Sequence, residues 1–219
     1  FHAPTRGLDF DGMMGALERV PEGHIVVLHT CCHNPTGVDP TPDQWKRILA
    51  TVRKRGLIPF LDLAYQGFGD GIDADGAVLR DFAATPGPLL VASSFSKSFS
   101  LYGERIGAIT LVAASREEAT RALSQLKRIV RANYSHPPTH GCKIVASVLT
   151  TPALRNEWET ELAGMRDRIK AMRKLLVEKL GERMPGKDFG YMLTQRGMFS
   201  YTGLTKAQFG SDRCRIDRW

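Results

Sequence analysis

The chain has 219 residues, a formal net charge of +7, 42% hydrophobic residues and 24% charged residues. This is the composition of a soluble globular protein with room for one large domain or one and a half, and no stretch approaches the length of a membrane span. The basic residues are spread out beside acids, as in Arg116-Glu117-Glu118 and Arg166-Asp167-Arg168, with no basic run interleaved with aromatics, so nucleic acid is not an expected partner.

The start, Phe1-His2-Ala3-Pro4-Thr5-Arg6, has no initiator Met and no apolar core, so it does not read as a signal peptide but as the middle of something longer. Asp11 to Val20 reads as a short helix with Met14, Leu17 and Val20 on one face. After the Pro21-Glu22-Gly23 turn, His24 to Thr30 is a continuous apolar strand of the kind buried on both faces in a parallel sheet. Cys31 and Cys32 follow. Adjacent residues on a strand point to opposite faces, so a metal shared by the two is not expected. Cys31, Cys32, Cys142 and Cys214 form no CxxC pair or disulfide framework, and reduced thiols in a cytoplasmic protein are the expectation.

Thr41-Pro42-Asp43 opens a helix that carries Trp45, Ile48, Leu49 and Val52 on one face and ends at Gly56. Leu57 to Asp62 is the next strand. Asp70 to Gly76 resembles a calcium loop, but the first and last ligand positions fall on Gly71 and Phe82; an exposed acidic turn is expected instead. Leu89 to Ser93 and Ile106 to Val112 are further strands. Ser115 to Arg131 is a helix with a Ser115/Glu118 capping box, Asn133 to Pro138 a loop, and Gly141 to Leu149 a short helix. Pro152 opens a long helix on which Trp158, Leu162, Met165, Ile169, Met172 and Leu176 form one apolar stripe, expected to pack in the core. Tyr191 to Thr194 and Met198 to Tyr201 read as short strands of a smaller α+β domain.

Strands alternating with helices predict an α/β layered fold, in which ligands sit outside the carboxyl ends of the strands. Three polar clusters, His29 to Asn34, Asp62 to Tyr65 and Ser94 to Lys97, occupy such ends. A lysine among small hydroxyl residues at the mouth of a buried strand suits an amine that forms an imine with a carbonyl compound. Pyridoxal phosphate used there would need a carboxylate for its ring nitrogen, for which Asp62 is placed, and donors for its phenolic oxygen, which Tyr65 and Asn34 could supply. Its phosphate would need a cation and hydroxyls, as in Arg105, Ser94 and Ser96. His29 could support Asp62 from behind, or be a buried core histidine. Arg105 could equally be a surface residue, and Asp62 a strand-end cap.

Three stretches carry a family resemblance. His29-Thr30-Cys31-Cys32-His33-Asn34-Pro35-Thr36-Gly37, Phe60-Leu61-Asp62-Leu63-Ala64-Tyr65-Gln66-Gly67-Phe68, and Ser94 to Lys97 with Leu101 to Gly107 together resemble the fold-type I, class I aminotransferases of the aspartate and aromatic amino acid branch. Similarity runs from Thr5 to about Gln208. The resemblance implies a pyridoxal-phosphate-dependent transferase fold: a layered, mostly parallel sheet with flanking helices over residues 1–160, then a long interdomain helix and part of a smaller domain over 161–219.

By resemblance, Lys97 carries the cofactor and shuttles the proton, Asp62 pairs with the pyridinium, and Asn34 and Tyr65 bind the phenolate oxygen. Ser94, Ser96 and Arg105 hold the phosphate. Arg131 matches an arginine that reaches the neighbouring subunit's site and meets a dicarboxylate, which implies a homodimer with shared sites; a helix C-terminal dipole pairing is its other reading. The substrates implied are an amino acid and a 2-oxo acid such as 2-oxoglutarate. Ser98, Ser100 and Gln195 to Gly203 are most similar to the bacterial aromatic (tyrosine) enzymes, with aspartate as the alternative substrate. The residues also leave open a related lyase or decarboxylase, and a non-catalytic binding remnant. The family's earlier phosphate loop and later α-carboxylate arginine do not occur in the chain, and the pattern is left at Phe209 to Trp219, so a fragment with a tail foreign to the family is expected.

Overall fold

A computed structural model of the chain describes residues 1–203. Four strands, β1 (Ile25–His29), β2 (Ile58–Leu63), β3 (Leu89–Ser94) and β4 (Gly107–Val112), form one sheet in the order β1-β2-β3-β4. The first two pairings are parallel, with His29 opposite Asp62 and Asp62 opposite Ala92. β4 runs antiparallel to β3 and sets Gly107 opposite Ser94. The sheet is therefore mostly parallel, and the ends of β1, β2 and β3 open on one edge.

Local chemistry fixes the helices on one face. Helix α1 (Phe10–Arg19) starts where the Asp9 carboxylate accepts the Gly12 N–H at 3.0 Å, and it buries Phe10, Met14 and Leu17. Helix α2 (Pro42–Lys54) has a full capping box: Thr41 Oγ1 accepts from Gln44 N, and Gln44 Oε1 accepts from Thr41 N. Its Trp45, Ile48 and Val52 pack on Leu28, Leu61 and Val91 of the sheet. Helix α3 (Ile72–Asp75) is a single turn, and α4 (Ala77–Ala83) adds Val78 and Phe82 to the same core. The opposite face differs from the both-faces burial predicted for β1. Ile25 and Val27 alternate away from α1 and α2 and are more than half exposed, because no described element covers them.

Helix α5 (Arg116–Tyr134) runs three residues past the predicted Arg131, and its cap is shifted. Ser115 Oγ accepts from Glu118 N, but the Glu118 carboxylate takes the Ala114 N–H. Helix α6 (Thr139–Thr150) leads into α7 (Pro152–Arg183). The expected stripe on α7 is only partly buried. Leu162 is enclosed and Trp158 and Ile169 pack beside it, whereas Met165, Met172 and Leu176 are exposed and Arg173 is buried instead. The stripe read from sequence kept a 3.5-residue period, whereas at about 3.6 residues per turn Leu162 and Arg173, eleven residues apart, fall on nearly the same side of the helix. No described helix is long and apolar enough to cross a membrane.

The two short strands expected near the end do not form. Gly190–Thr194 is a 3-10 turn closed by Met192 N to Phe189 O and Gln195 N to Met192 O, and 198–201 is irregular. That segment bonds to the turn after β1 instead, through Arg196 N to Gly37 O at 2.7 Å and Tyr201 N to Thr36 O at 3.4 Å. The tail expected to depart from the family at Phe209 lies outside the described residues.

Candidate active site

The parallel register brings the polar clusters to one edge. β1 ends at His29 beside Asp62 of β2, and β2 continues through Ala64 to Tyr65. β3 ends at Ser94, and the Phe95 N–H bonds to Ile106 O at 3.1 Å, which folds the Lys97 loop back against Arg105. The turn after β1 is built on a half-buried carboxylate. Asp39 Oδ2 and Oδ1 accept the N–H groups of Cys32 at 2.7 Å and His33 at 2.8 Å. Burial raises the Asp39 carboxyl above its ordinary range, and those two N–H donors partly offset the effect. The same turn ties His33 Nδ1 to Thr36 Oγ1 at 2.7 Å and presents Asn34 toward β2.

A chain of contacts then joins the cluster residues. The Asn34 N–H donates to His29 Nδ1 at 3.3 Å, so Nδ1 is an acceptor and the ring proton lies on Nε2. That Nε2 faces Asp62 Oδ2 at 3.6 Å, an approach longer than a direct hydrogen bond. Asn34 Nδ2 donates to the Tyr65 hydroxyl at 3.3 Å. Lys97 Nζ stands 4.6 Å from the Tyr65 ring centroid, a cation–π distance. Tyr65 is buried, and Phe199 meets it edge-on at 5.6 Å.

Three further residues complete the edge. Ser94 Oγ accepts the Ser96 N–H at 3.3 Å, with Ser96 buried. Arg105 adopts a left-handed backbone, φ 55, and one guanidinium nitrogen donates to Tyr102 O at 2.9 Å. A left-handed conformation costs a non-glycine residue on the order of 1 kcal/mol and concentrates at functional sites. The loop is braced from outside by Phe99 stacked on Trp158 at 4.5 Å and by Trp158 Nε1 donating to Ser98 O at 2.7 Å.

Asp62, His29, Asn34, Tyr65 and Lys97 are thus brought together, with Ser94, Ser96 and Arg105 alongside. Arg131 is not. It lies exposed on α5, where Nη1 donates to Ser135 Oγ at 2.6 Å, and no described contact links it to the cluster.

Two sequence expectations fail nearby for one reason. Cys31 and Cys32 do not diverge, because β1 has already ended and Cys32 takes a positive φ of 54. Their sulfurs and an Asp75 oxygen lie within 4.8 Å of one another, all buried. Asp75 is therefore not part of an exposed turn. Its carboxylate accepts from Gly67 N at 2.8 Å, Gly69 N at 3.0 Å and Asp70 N at 2.9 Å, which fixes the loop after Tyr65. Hydrogen bonding to Cys31, together with burial, holds the Cys32 thiol protonated far above the ordinary thiol range. The cluster acts as packing beneath the Asn34 turn.

Sequence reasoning missed Phe199 and Arg173. Phe199 carried no signal beyond an apolar residue in an expected strand. Arg173 is one charge among many on α7, and only its eleven-residue phase from Leu162 marks it as inward-facing.

Comparison with known proteins agrees with this geometry. The family model described as aminotransferase class I and II matches residues 1–213. The aspartate aminotransferase of Pseudomonas aeruginosa is 53% identical over 208 residues, covering 95% of this chain and 52% of the relative. The tyrosine aminotransferase of Klebsiella pneumoniae is 49% identical over 215 residues, covering 98% and 54%. A crystal structure of the aromatic-amino-acid aminotransferase from Burkholderia pseudomallei, covalently bound to pyridoxal phosphate, superposes with a TM-score of 0.93 at 57% identity, covering 94% of this chain and 52% of that one. The chain spans about half the length of these relatives. It belongs to the class I and II aminotransferase family.

Proposed function

We propose that the chain holds pyridoxal phosphate on Lys97 and provides the reacting core for amino-group transfer between an L-amino acid and a 2-oxo acid. The observation that carries this reading is the unbroken series Asp62–His29–Asn34–Tyr65–Lys97 on one sheet edge. The donor set fits the cofactor. Lys97 is half-buried and, among the described residues, has no carboxylate within ion-pair distance; its neighbour is an aromatic face. Among the described residues Asp62 pairs with no lysine or arginine and faces a histidine. These groups are left for a ligand that brings an aldehyde, a basic ring nitrogen and a phosphate.

When bound, pyridoxal phosphate supplies an electron-withdrawing ring that makes the amino acid's Cα proton removable. Lys97 Nζ would hold the cofactor's aldehyde carbon, and its amine is the group that would take the Cα proton as a general base. Asp62 keeps a negative charge at the ring nitrogen. His29 orients that carboxylate, since Nδ1 is committed to Asn34 and only Nε2 faces Asp62. Asn34 Nδ2 and the Tyr65 hydroxyl bind the phenolic oxygen. Arg105 binds the phosphate with the guanidinium edge not used on Tyr102, and Ser94 and Ser96 add hydroxyls.

We assign residues 1–160 to the cofactor-holding domain, and the remainder to the interdomain helix and smaller domain; the passage from layered sheet to α7 supports the division. An aromatic amino donor is the preferred substrate, on the likeness of Ser98, Ser100 and the Gln195–Gly203 stretch to the tyrosine enzymes. Aspartate is the second reading, favoured by the 53% identity to the Pseudomonas enzyme. Arg131 stands on an exposed helix with Leu123, Ile129 and Tyr134 also exposed, which suits a second copy covering α5 and receiving Arg131 at its site.

The test is to add pyridoxal phosphate, record the cofactor absorbance, reduce with borohydride and locate the label by peptide mass. Label on Lys97, absent from Lys97→Ala, is expected. Label scattered over surface lysines would overturn the reading. Initial rates with tyrosine and aspartate as donors to 2-oxoglutarate separate the two substrates.

A further inference from the structure

Arg173 is buried, yet among the described residues no carboxylate lies within ion-pair distance of it. Its guanidinium is spent on backbone carbonyls: Nη1 to Gln195 O at 2.6 Å, Nη2 to Gly197 O at 2.5 Å and Nη2 to Phe199 O at 3.3 Å. Among the described residues Nε is buried with no hydrogen-bond partner. Burial away from water lowers the basicity of the guanidinium. An apolar side chain of similar volume would avoid desolvating a charge. What it could not do is fix alternate carbonyls at 195, 197 and 199 with one rigid fork.

The segment so gripped is a strap across the Asn34 turn. Its other side is fitted closely to that turn. Arg196 N donates to Gly37 O, and a Cβ added at Gly197 would collide with Cys32 Cβ. A Cβ at Gly37 would lie 2.5 Å from Phe199 O. Gln195 locks the strap internally through Nε2 to Tyr201 O at 3.2 Å and a short bond from the Ser200 hydroxyl. The strap's one ring over the site is Phe199, edge-on to Tyr65.

We infer that Arg173 is a positioning residue: it sets the strap from α7 so that Phe199 fixes the Tyr65 phenol between Asn34 and Lys97. It touches none of the reacting groups. The catalytic consequence rests on the function proposed above, but the positioning itself does not.

Arg173→Met and Arg173→Lys are compared with wild type in chain carrying 13C-labelled tyrosine, with the Tyr65 resonance assigned by Tyr65→Phe. In the cofactor-free Arg173→Met chain, the Arg196 amide exchanges about tenfold faster while β2 and β3 amides do not change. The Tyr65 resonance shifts, and pyridoxal phosphate binds several-fold more weakly. Lysine, which retains a donor for one carbonyl, gives intermediate values. Faster exchange with an unmoved Tyr65 resonance would make Arg173 merely structural and overturn the inference, as would unchanged exchange. If Arg173→Met does not fold, Gly197→Ala displaces the same strap from the Cys32 side, and a Tyr65 resonance like wild type there overturns it equally. If the wild-type chain takes no pyridoxal phosphate, the proposed function falls while the Tyr65 resonance still decides the role of Arg173.

Discussion

Asn34 Nδ2 donates to the Tyr65 hydroxyl at 3.3 Å although 31 residues separate the two. The contact exists because two parallel strands end side by side. β1 delivers the Asp39-braced turn that carries Asn34, and β2 delivers Tyr65 three residues beyond the Asp62 that pairs with His29. A slip of one residue between β1 and β2 would turn every side chain on the moved strand to the other face and separate the pair.

Tyr65→Phe isolates the hydroxyl. The ring keeps its place against Phe199 and beneath Lys97, so the fold persists, and stability falls by about 1 kcal/mol, the net value of one hydrogen bond. Asn34→Ala costs a similar amount. Because the two remove the same bond, the double variant is less destabilised than the sum by about 0.5 kcal/mol or more. Urea unfolding of the four proteins measures this, and strict additivity would show that the bond contributes nothing.

Asp75 holds three backbone N–H groups with one buried carboxylate. Asp75→Asn keeps the volume but points an NH₂ at one of those donors and removes the charge from the others. A loss of about 2–3 kcal/mol is expected, in the range of charge-assisted bonds. Melting the variant by urea should also loosen Tyr65 first, since the braced loop begins two residues after it. A loss below about 0.5 kcal/mol would contradict the brace.

The residues that read clearly in the sequence are those that interrupt an apolar run. Asp62, Asn34 and Lys97 stand where β-type stretches end, and such polar breaks are visible without any structure. Arg131 was legible as a motif, but the fold of one chain leaves it exposed on α5 with no described contact to the cluster. Asp75 looked like one acid among several, because the amides it caps are backbone groups with no sequence signature. Arg173 looked like one charge on a charged helix, and its burial depends on a strap twenty-two residues later. Tyr191 to Thr194 had the composition of a strand, but among the described residues it has no strand to pair with, and local turn bonds prevailed.

Arg105 tests whether backbone strain and binding oppose each other. Its φ of 55 suits glycine, and its exposed bond to Tyr102 O contributes little. Arg105→Gly is therefore expected to raise stability slightly, by about 0.5 kcal/mol, while weakening pyridoxal phosphate binding at least tenfold through loss of the phosphate's cation. Arg105→Lys keeps the strain and the charge but loses the bidentate fork, so it restores affinity in part without the gain in stability. Denaturation midpoints and cofactor titrations on the same preparations separate the two effects. A glycine variant that binds the cofactor like wild type would remove Arg105 from the phosphate site.

The turn that carries Asn34 gives stability an expected pH dependence. Burial, with His29 beside it, lowers the His33 imidazole below its ordinary value of 6.5. Below that value the unfolded chain therefore binds more protons than the folded one. The contribution of His33 is fully present above pH 6.5 and is lost as pH falls through the lower folded value. Asp39 acts oppositely. Burial raises its carboxyl above the ordinary 3.8, so its contribution is present below that value and is lost as pH rises through the folded one. As pH falls from about 7 through 6.5 the His33 contribution begins to be lost, and stability should fall with acidification. His33→Asn removes that titration, so its urea midpoint should change less over the same interval than that of wild type. Parallel midpoint curves for the two proteins would show that His33 does not titrate with folding, and that the Asn34 turn is indifferent to its charge.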